Sequence, residues 1–392
     1  MKESVGDLLD YITWRGDLSF AQSPFCEVDA LVLAQLSYNH FDGLLKGDFS
    51  YRTKLFDLYA AFTGASDYES RCQVGAVINS NTPELLKAAS ASNRFGLIEI
   101  CGYESILDEE KEEQFAAMTF ILDKKTAVVV FRGTDDTVLG WKEDFNIIFQ
   151  KAIPSQISGV EYLSRVSRTL KQDILVSGHS KGGSVAMFAA INCDAKVQKK
   201  IKSVYNFDGP GFTEDFYKRP QFLNVKDKIH SFYPYFSVVG MVFHHSENYK
   251  IIDSTGFTVF QHDAFSWNIS GKDFVYCDDF ADESKIFHQS FNDWMEELSL
   301  EDRKRFVDVF FDVIYASGAK TNLEIERNKL QASAKMIAAI GALAPEDRKH
   351  VTHIIHMFLK TGKNNIPIFT AFKPEINLKS NIEEVIEKLK DK

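Results

Sequence analysis

Ser180 lies in the run Ile174-Leu175-Val176-Ser177-Gly178-His179-Ser180-Lys181-Gly182-Gly183-Ser184-Val185-Ala186, where apolar residues end in Gly-x-Ser-x-Gly and pass into small, helix-compatible ones. The residues before Gly178 predict a buried strand, and Val185-Ala186-Met187-Phe188-Ala189-Ala190 predicts a buried helix. The serine is therefore expected on the tight turn between them, a nucleophile elbow. Such a turn needs neighbours without bulk, and Gly178 and Gly182 let the strand and helix backbones approach. It would hold the hydroxyl at the carboxyl edge of a sheet with a helix amino terminus beneath it, which favours developing negative charge.

A serine hydroxyl is a poor nucleophile until a base takes its proton, and its transition state is an oxyanion that needs donors already in place. In an α/β-hydrolase the partners follow in the order serine, acid, histidine, and the second oxyanion donor comes from a loop after an earlier strand. His262, in Val259-Phe260-Gln261-His262-Asp263-Ala264-Phe265-Ser266-Trp267, is the expected base. It follows the last apolar run of the α/β part and sits in a polar interruption between aromatic residues. The order removes His40, and His179 lies on the elbow itself. His230, His244 and His245 stay open, although they precede one more strand. For the acid, Asp208 in Tyr205-Asn206-Phe207-Asp208-Gly209-Pro210-Gly211 follows the strand directly after the elbow helix. Its task is to accept a hydrogen bond from one ring nitrogen and fix the tautomer, so any carboxylate that reaches will serve. Asp253 and Asp263 are alternatives, and Ser237 as the neutral orienter of a dyad is another. Asp208 also suits a plain turn before Gly209-Pro210. The oxyanion loop has a candidate in Val128-Val129-Val130-Phe131-Arg132-Gly133-Thr134-Asp135-Asp136-Thr137, a strand that runs into a glycine turn.

The elements that must position these groups can be read from periodicity. Residues 1 to about 65 read as helical. From about 66 to 275, strand-like runs (Ala127–Phe131, Ile174–Val176, Ser203–Phe207, Tyr249–Ile252) alternate with helical stretches, which predicts a mostly parallel sheet with helices on both faces. From about 280 the texture becomes charged and amphipathic. Phe306, Val309, Phe310, Val313 and Ile314 share one helix face, opened by Ser299 as N-cap and closed by Gly318. Leu330, Met336, Ile337 and Ile340 predict a second such helix, and Val351, Ile354, Ile355 and Phe358 a third. The expectation is an α/β-hydrolase fold over residues 1–280, including the helical N-terminal segment, with a C-terminal helical extension over 281–392.

Composition sets outer bounds. The chain has 392 residues, 45% of them hydrophobic, enough for a large core. A net charge of −10 offers no basic field for nucleic acid or an anionic membrane. Acids near the start, where a signal peptide carries bases, and the lack of any apolar run near the ~18 residues of a membrane span point to a cytoplasmic protein without an integral membrane segment. Cys26, Cys72, Cys101, Cys193 and Cys277 are scattered and odd in number, so free thiols are expected rather than a disulfide framework. His244-His245 has no carboxylate or cysteine at ligand spacing from a second histidine, so neither metal nor cofactor is expected.

Phe131-Arg132-Gly133-Thr134 followed by Trp141-Lys142-Glu143-Asp144, and then Gly178-His179-Ser180-Lys181-Gly182-Gly183, resembles the class 3 lipases, the fungal-lipase-like branch of the α/β-hydrolases. The resemblance spans roughly 125 to 265. With Trp14-Arg15-Gly16-Asp17-Leu18-Ser19-Phe20 at the front and helices behind, the whole chain is similar to a little-characterised group of intracellular serine hydrolases of Gram-positive bacteria. The resemblance implies an ester-hydrolysing site in which Thr134 and Lys181 contribute backbone N–H groups to the oxyanion hole. The Thr134 hydroxyl would be a third donor, and Arg132 would anchor the loop against a carboxylate such as Asp144. Two positions depart from the pattern. Class 3 lipases carry Asp-x-Val-Pro where this chain reads Ser237-Val238-Val239-Gly240, so the usual acid is missing and Asp208, one strand earlier, is the expected substitute beside the alternatives named above. Lys181 stands where an apolar residue is common, and its side chain is expected to point outward. The segment Phe236 to Phe243 suits either an acyl pocket or core packing. The resulting expectation is a serine ester hydrolase acting on an acylated small molecule or lipid; the alternatives are a ligand- or partner-binding protein without turnover and an acyltransferase using the same triad.

Overall fold

The computed structural model describes residues 5–246 and 248–360, and of residues 354 and 356–360 the backbone only. Residues 361–392 of the expected C-terminal extension, and the side chains of Ile354 and Phe358, lie outside the described residues.

The strands among the described residues are β1 (Val5–Gly6), β2 (Thr53–Lys54), β3 (Glu99–Asp108), β4 (Glu113–Ile121), β5 (Thr126–Phe131), β6 (Asp173–His179), β7 (Ile201–Phe207), β8 (Ile229–Pro234), β9 (Tyr249–Ile252), β10 (Ile269–Ser270), β11 (Asp273–Phe274) and β12 (Tyr276–Cys277). Nine form one sheet in the order β12-β9-β8-β7-β6-β5-β4-β3-β2. Its centre, β5 through β9, is parallel. The β2-β3-β4 flank and the β12 edge are antiparallel. This is a mixed α/β architecture whose parallel centre contains the four strand-like runs legible in the sequence and adds β8 (Ile229–Pro234), which that reading did not include. The antiparallel flank is not legible that way, because β4 is buried along its whole length and shows no period of two.

Helices cover both faces of the centre. Alternate residues of β5 and β6 serve opposite layers, as strand geometry requires. Val128, Val130 and Leu175 pack with Leu31 and Val32 of the N-terminal helix Glu27–Leu36, whereas Val129, Phe131 and Val176 pack with Leu163 and Val185 of helices Pro154–Thr169 and Lys181–Asn192. Because β5 to β8 are parallel, their carboxyl ends open on one edge, where α/β sheets bind ligands. The loops that leave that edge carry Thr134, Ser180, Asp208 and Ser237.

The C-terminal helices begin with Asp282–Glu297 and continue as Leu300–Tyr315, Asn322–Arg327, Lys329–Ala342 and Pro345–Lys360. Ser299 caps the second, its side chain accepting from Asp302 N, and Gly318 takes a φ of 83° just after it. Phe306, Phe310, Val313 and Ile314 are buried there, Val309 partly so. Leu330 corrects the reading of the next helix: it is 90% exposed. Lying in the first turn, it precedes the buried stripe of Met336 and Ile340. These helices share a single apolar cluster with Val138, Tyr233, Phe236 and Val238 of the preceding part. They are also hydrogen-bonded to the loop after β5, through Val138 N to Lys320 O at 2.8 Å and Leu323 N to Asp136 Oδ2 at 2.9 Å. No helix among the described residues is long and apolar enough to cross a membrane. All five cysteines are unpaired.

Candidate active site

β6 ends at His179 and helix Lys181–Asn192 begins two residues later, leaving Ser180 alone on the turn. Ser180 has φ 58° and ψ −133°, a conformation that costs a non-glycine residue on the order of 1–3 kcal/mol and persists only where the surroundings enforce it. They do so here. A Cβ at Gly178 would stand 2.1 Å from Gly182 O, and one at Gly182 would stand 2.2 Å from Phe131 O, so strand and helix touch through the two glycines. Ser180 N donates to Phe207 O at 2.9 Å, which ties the elbow to the end of β7.

His262 and Asp208 meet Ser180 at this edge. His262 Nε2 is 2.9 Å from Ser180 Oγ, and His262 Nδ1 is 2.5 Å from Asp208 Oδ2. An ionised carboxylate only accepts, so Nδ1 carries the proton and Nε2 is free to accept from the serine. Asp208, fully buried with φ 50°, also accepts at Oδ1 from Ser237 Oγ at 2.5 Å and from Gly240 N at 3.2 Å. Ser237 thus holds the acid and does not touch the imidazole. The other acids are occupied elsewhere: Asp253 accepts from Asn268 Nδ2 at 2.7 Å, and Asp263 from Asn79 Nδ2 at 2.5 Å. Of the alternative histidines, His230 stacks on Tyr205, and His245 lies against Tyr233 and His288, where burial pushes its pKa down to about 3. Among the described residues no group of three His, Cys, Asp or Glu side chains is placed to hold a metal ion.

His179 has a supporting place that its position on the elbow did not disclose. Its Nε2 is 2.9 Å from the His262 carbonyl, which can only accept, so Nε2 bears the proton and Nδ1 accepts from Tyr38 Oη at 3.0 Å. Burial, together with the neighbouring His262, holds the His179 pKa well below the ordinary imidazole range, which keeps this neutral tautomer. Trp267 Nε1 donates to Gln261 O at 2.7 Å. The backbone on either side of the base is therefore pinned, one carbonyl by His179 and the preceding one by Trp267.

Two side-chain expectations at the oxyanion loop are corrected. The Thr134 hydroxyl donates to Asp144 Oδ2 at 2.5 Å, so it holds the loop and is not a spare donor. Arg132 does pair with a carboxylate of the loop, but it is Asp135, at 3.3 Å, in place of Asp144. Burial pushes the Asp144 carboxyl up to about 6, against the pull of Lys181 and of the Thr134 hydrogen bond. The Lys181 side chain points inward, not outward. It is 2% exposed, and its Nζ donates to Gln114 O, Gln114 Oε1 and Glu143 Oε2, each at 2.7 Å. Three donors meet three acceptors, which is why a lysine tolerates this burial. The Lys181 amide is at the first position of its helix and has no intrahelical acceptor. Helix Val138–Asn146 thus carries, at Glu143 and Asp144, the anchors of both residues expected to donate to an oxyanion.

Removing one partner of a buried ion pair leaves an uncompensated charge, so Lys181→Met should lower unfolding free energy by about 3–5 kcal/mol in urea titration. Lys218→Met, at the exposed pair with Glu214, should be indistinguishable from wild type. Equal midpoints for the two variants would show that the buried pair does not hold the site together.

Ser180, Thr134, Lys181 and His262 line a single cavity of about 360 Å³ whose remaining walls are mainly apolar. The geometry provides a hydroxyl, a base poised to accept its proton, a buried acid behind the base, and a mainly apolar cavity beside them.

No match was found among curated proteins. Among solved structures the chain is similar to the M37 lipase, at 16% identity and a TM-score of 0.34, covering 56% of this chain and 70% of that one. It is also similar to a fungal lipase in complex with an inhibitor, at 15% identity and a TM-score of 0.35, covering 60% and 92%. The Mbeg1-like family model matches residues 89–312, a span that runs from β3 through the elbow, Asp208 and His262 into the second C-terminal helix. Matched over more than half of its length, the chain belongs to the Mbeg1-like family.

Proposed function

We propose that the chain is a serine ester hydrolase that cleaves acyl esters through Ser180, His262 and Asp208. The observation that carries the reading is the continuous line of hydrogen bonds from Ser180 Oγ through His262 to Asp208 and Ser237, on a turn that holds the serine at a positive φ. In this reading Ser180 Oγ attacks the ester carbonyl as its proton passes to His262 Nε2. Asp208 stabilises the imidazolium without taking its proton. The oxyanion is received by the backbone N–H groups of Thr134 and Lys181. His262 then protonates the leaving alcohol, and water attacks the acyl-enzyme by the same route in reverse. No cofactor is required, and the substrate is an acylated small molecule or lipid. Residues 1–280 supply the chemistry, and the helices from Asp282 to Lys360 form an extension to it.

Labelling with a small fluorophosphonate tests the reading, because only an activated serine reacts quickly. The expected result is a single adduct on the peptide that carries Ser180. A folded protein that stays unlabelled over hours would overturn it and leave a binding protein on a hydrolase scaffold. Products partitioning to an added alcohol in place of water would mark acyl transfer.

A further inference from the structure

The cavity beside Ser180 is lined in part by residues 76–79 and by Trp141, Phe145 and Ile148, and three further stretches complete its apolar wall. One is the segment after β8, with Val238, Val239 and Val242. Another is the approach to the base, with Val259 and Phe260. The third is the C-terminal helices, which contribute Phe291, Trp294 and Phe306. Trp294 meets Phe306 edge to face with ring centroids 5.2 Å apart, and Phe291 lies 6.1 Å from Trp294. All three are at most 8% exposed and belong to the cluster that also holds Val307 and Phe310, so this wall is backed by solid core. Side chains in a close-packed core do not yield freely to a longer ligand.

The charged side chains on the lining are already engaged. Asp144 holds Thr134, Lys181 holds Glu143 and Gln114, Asp263 holds Asn79, and His262 lies between Asp208 and Ser180. None is left to neutralise a charge on a ligand inside the cavity. A volume of about 360 Å³ stands near the lower end of the roughly 300–1,000 Å³ found for ligand pockets, which suits one chain and not a bundle of them.

We infer that this cavity takes the acyl part of the substrate as one neutral, unbranched chain, and that Phe291, Trp294 and Phe306 of the C-terminal helices set the longest chain accepted. The inference rests on the ester-hydrolase reading for its reaction, but not for the pocket itself. It makes the helical extension a specificity element.

The test has a turnover arm and a binding arm, both on the full chain. With straight-chain nitrophenyl esters, kcat/KM should rise about fourfold per added methylene, the factor that corresponds to burying one CH₂, and then break sharply at a limiting length. In Trp294→Ala and in the milder Phe291→Leu, the break should move to longer chains by two carbons or more, with folding checked by circular dichroism. In the binding arm, calorimetry with straight-chain alcohols on Ser180→Ala should show affinity rising with length, saturating, and saturating later when Trp294→Ala is added. Esters turned over with a break unmoved in Phe291→Leu, or affinity flat with length, would overturn the pocket assignment. Length-dependent binding that shifts with the wall, in a protein that hydrolyses no ester, would uphold the pocket and remove the hydrolase reading instead.

Discussion

Ser180→Ala is expected to abolish ester hydrolysis, with a loss on the order of 10⁴ or more in kcat, while leaving the fold in place. The variant deletes one oxygen and keeps the Cβ, so the backbone at φ 58° is no more strained than before. The constraints that enforce that conformation, the Gly178–Gly182 contact and the bond from residue 180 N to Phe207 O, do not involve the hydroxyl. What disappears is the hydroxyl that donates its proton to His262 Nε2. The oxyanion donors and the acyl cavity survive, so substrate binding should change little and the defect should lie in kcat. Steady-state kinetics together with fluorophosphonate labelling check this. Turnover within tenfold of wild type would place the nucleophile elsewhere and dismantle the proposed mechanism.

The elbow is legible in the sequence because its signal is local. An apolar strand, three glycines and a run of small residues fall within thirteen consecutive positions, and the structure places Ser180 between β6 and its helix for the same steric reason. His262 and Asp208 can be proposed from chain order and local context, yet the sequence leaves Asp253, Asp263 and Ser237 standing. What separates them is partner choice: Asn268 and Asn79 occupy two of the acids, and Ser237 turns toward Asp208. Such pairing depends on contacts between residues far apart in the chain and leaves no periodic trace. Lys181 makes the same point in reverse. Next to a nucleophile it reads as a solvent-seeking charge, and only Gln114 and Glu143, brought in by β4 and by helix Val138–Asn146, explain its burial. The pairing of His179 with Tyr38 is hidden for the same reason, and the antiparallel flank because β4 is buried throughout and shows no alternation. Local propensity marks where a strand stops and where a turn must be tight, whereas the hydrogen-bonding partner of a buried polar group is set by tertiary packing.

The second large effect is expected at Asp208, where an asparagine should be more damaging than its shape suggests. Oδ1 of Asp208 receives two donors, the Ser237 hydroxyl and the Gly240 amide, while Oδ2 faces His262 Nδ1. In Asp208→Asn those two donors hold the amide oxygen on their side, which turns the NH₂ toward the imidazole. A donor facing Nδ1 forces the ring proton onto Nε2, the atom that must accept from Ser180, so the base is present but in the wrong tautomer. Turnover should fall by roughly 10² to 10⁴ with KM nearly unchanged, and fluorophosphonate labelling should slow in parallel. Asp253→Asn should stay close to wild type, since its carboxylate serves Asn268 and the chain around it. Ser237→Ala should cost less than Asp208→Asn, because the Gly240 amide still fixes Oδ1 and the carboxylate still accepts from His262. The asparagine's orientation gives the prediction a second edge. Adding Ser237→Ala to Asp208→Asn leaves Gly240 N to hold the amide oxygen, so the double variant should be no more active than the single one. Near-wild-type turnover in Asp208→Asn, or recovery of activity in the double variant, would show that the acid's orientation is not what sets the tautomer of His262.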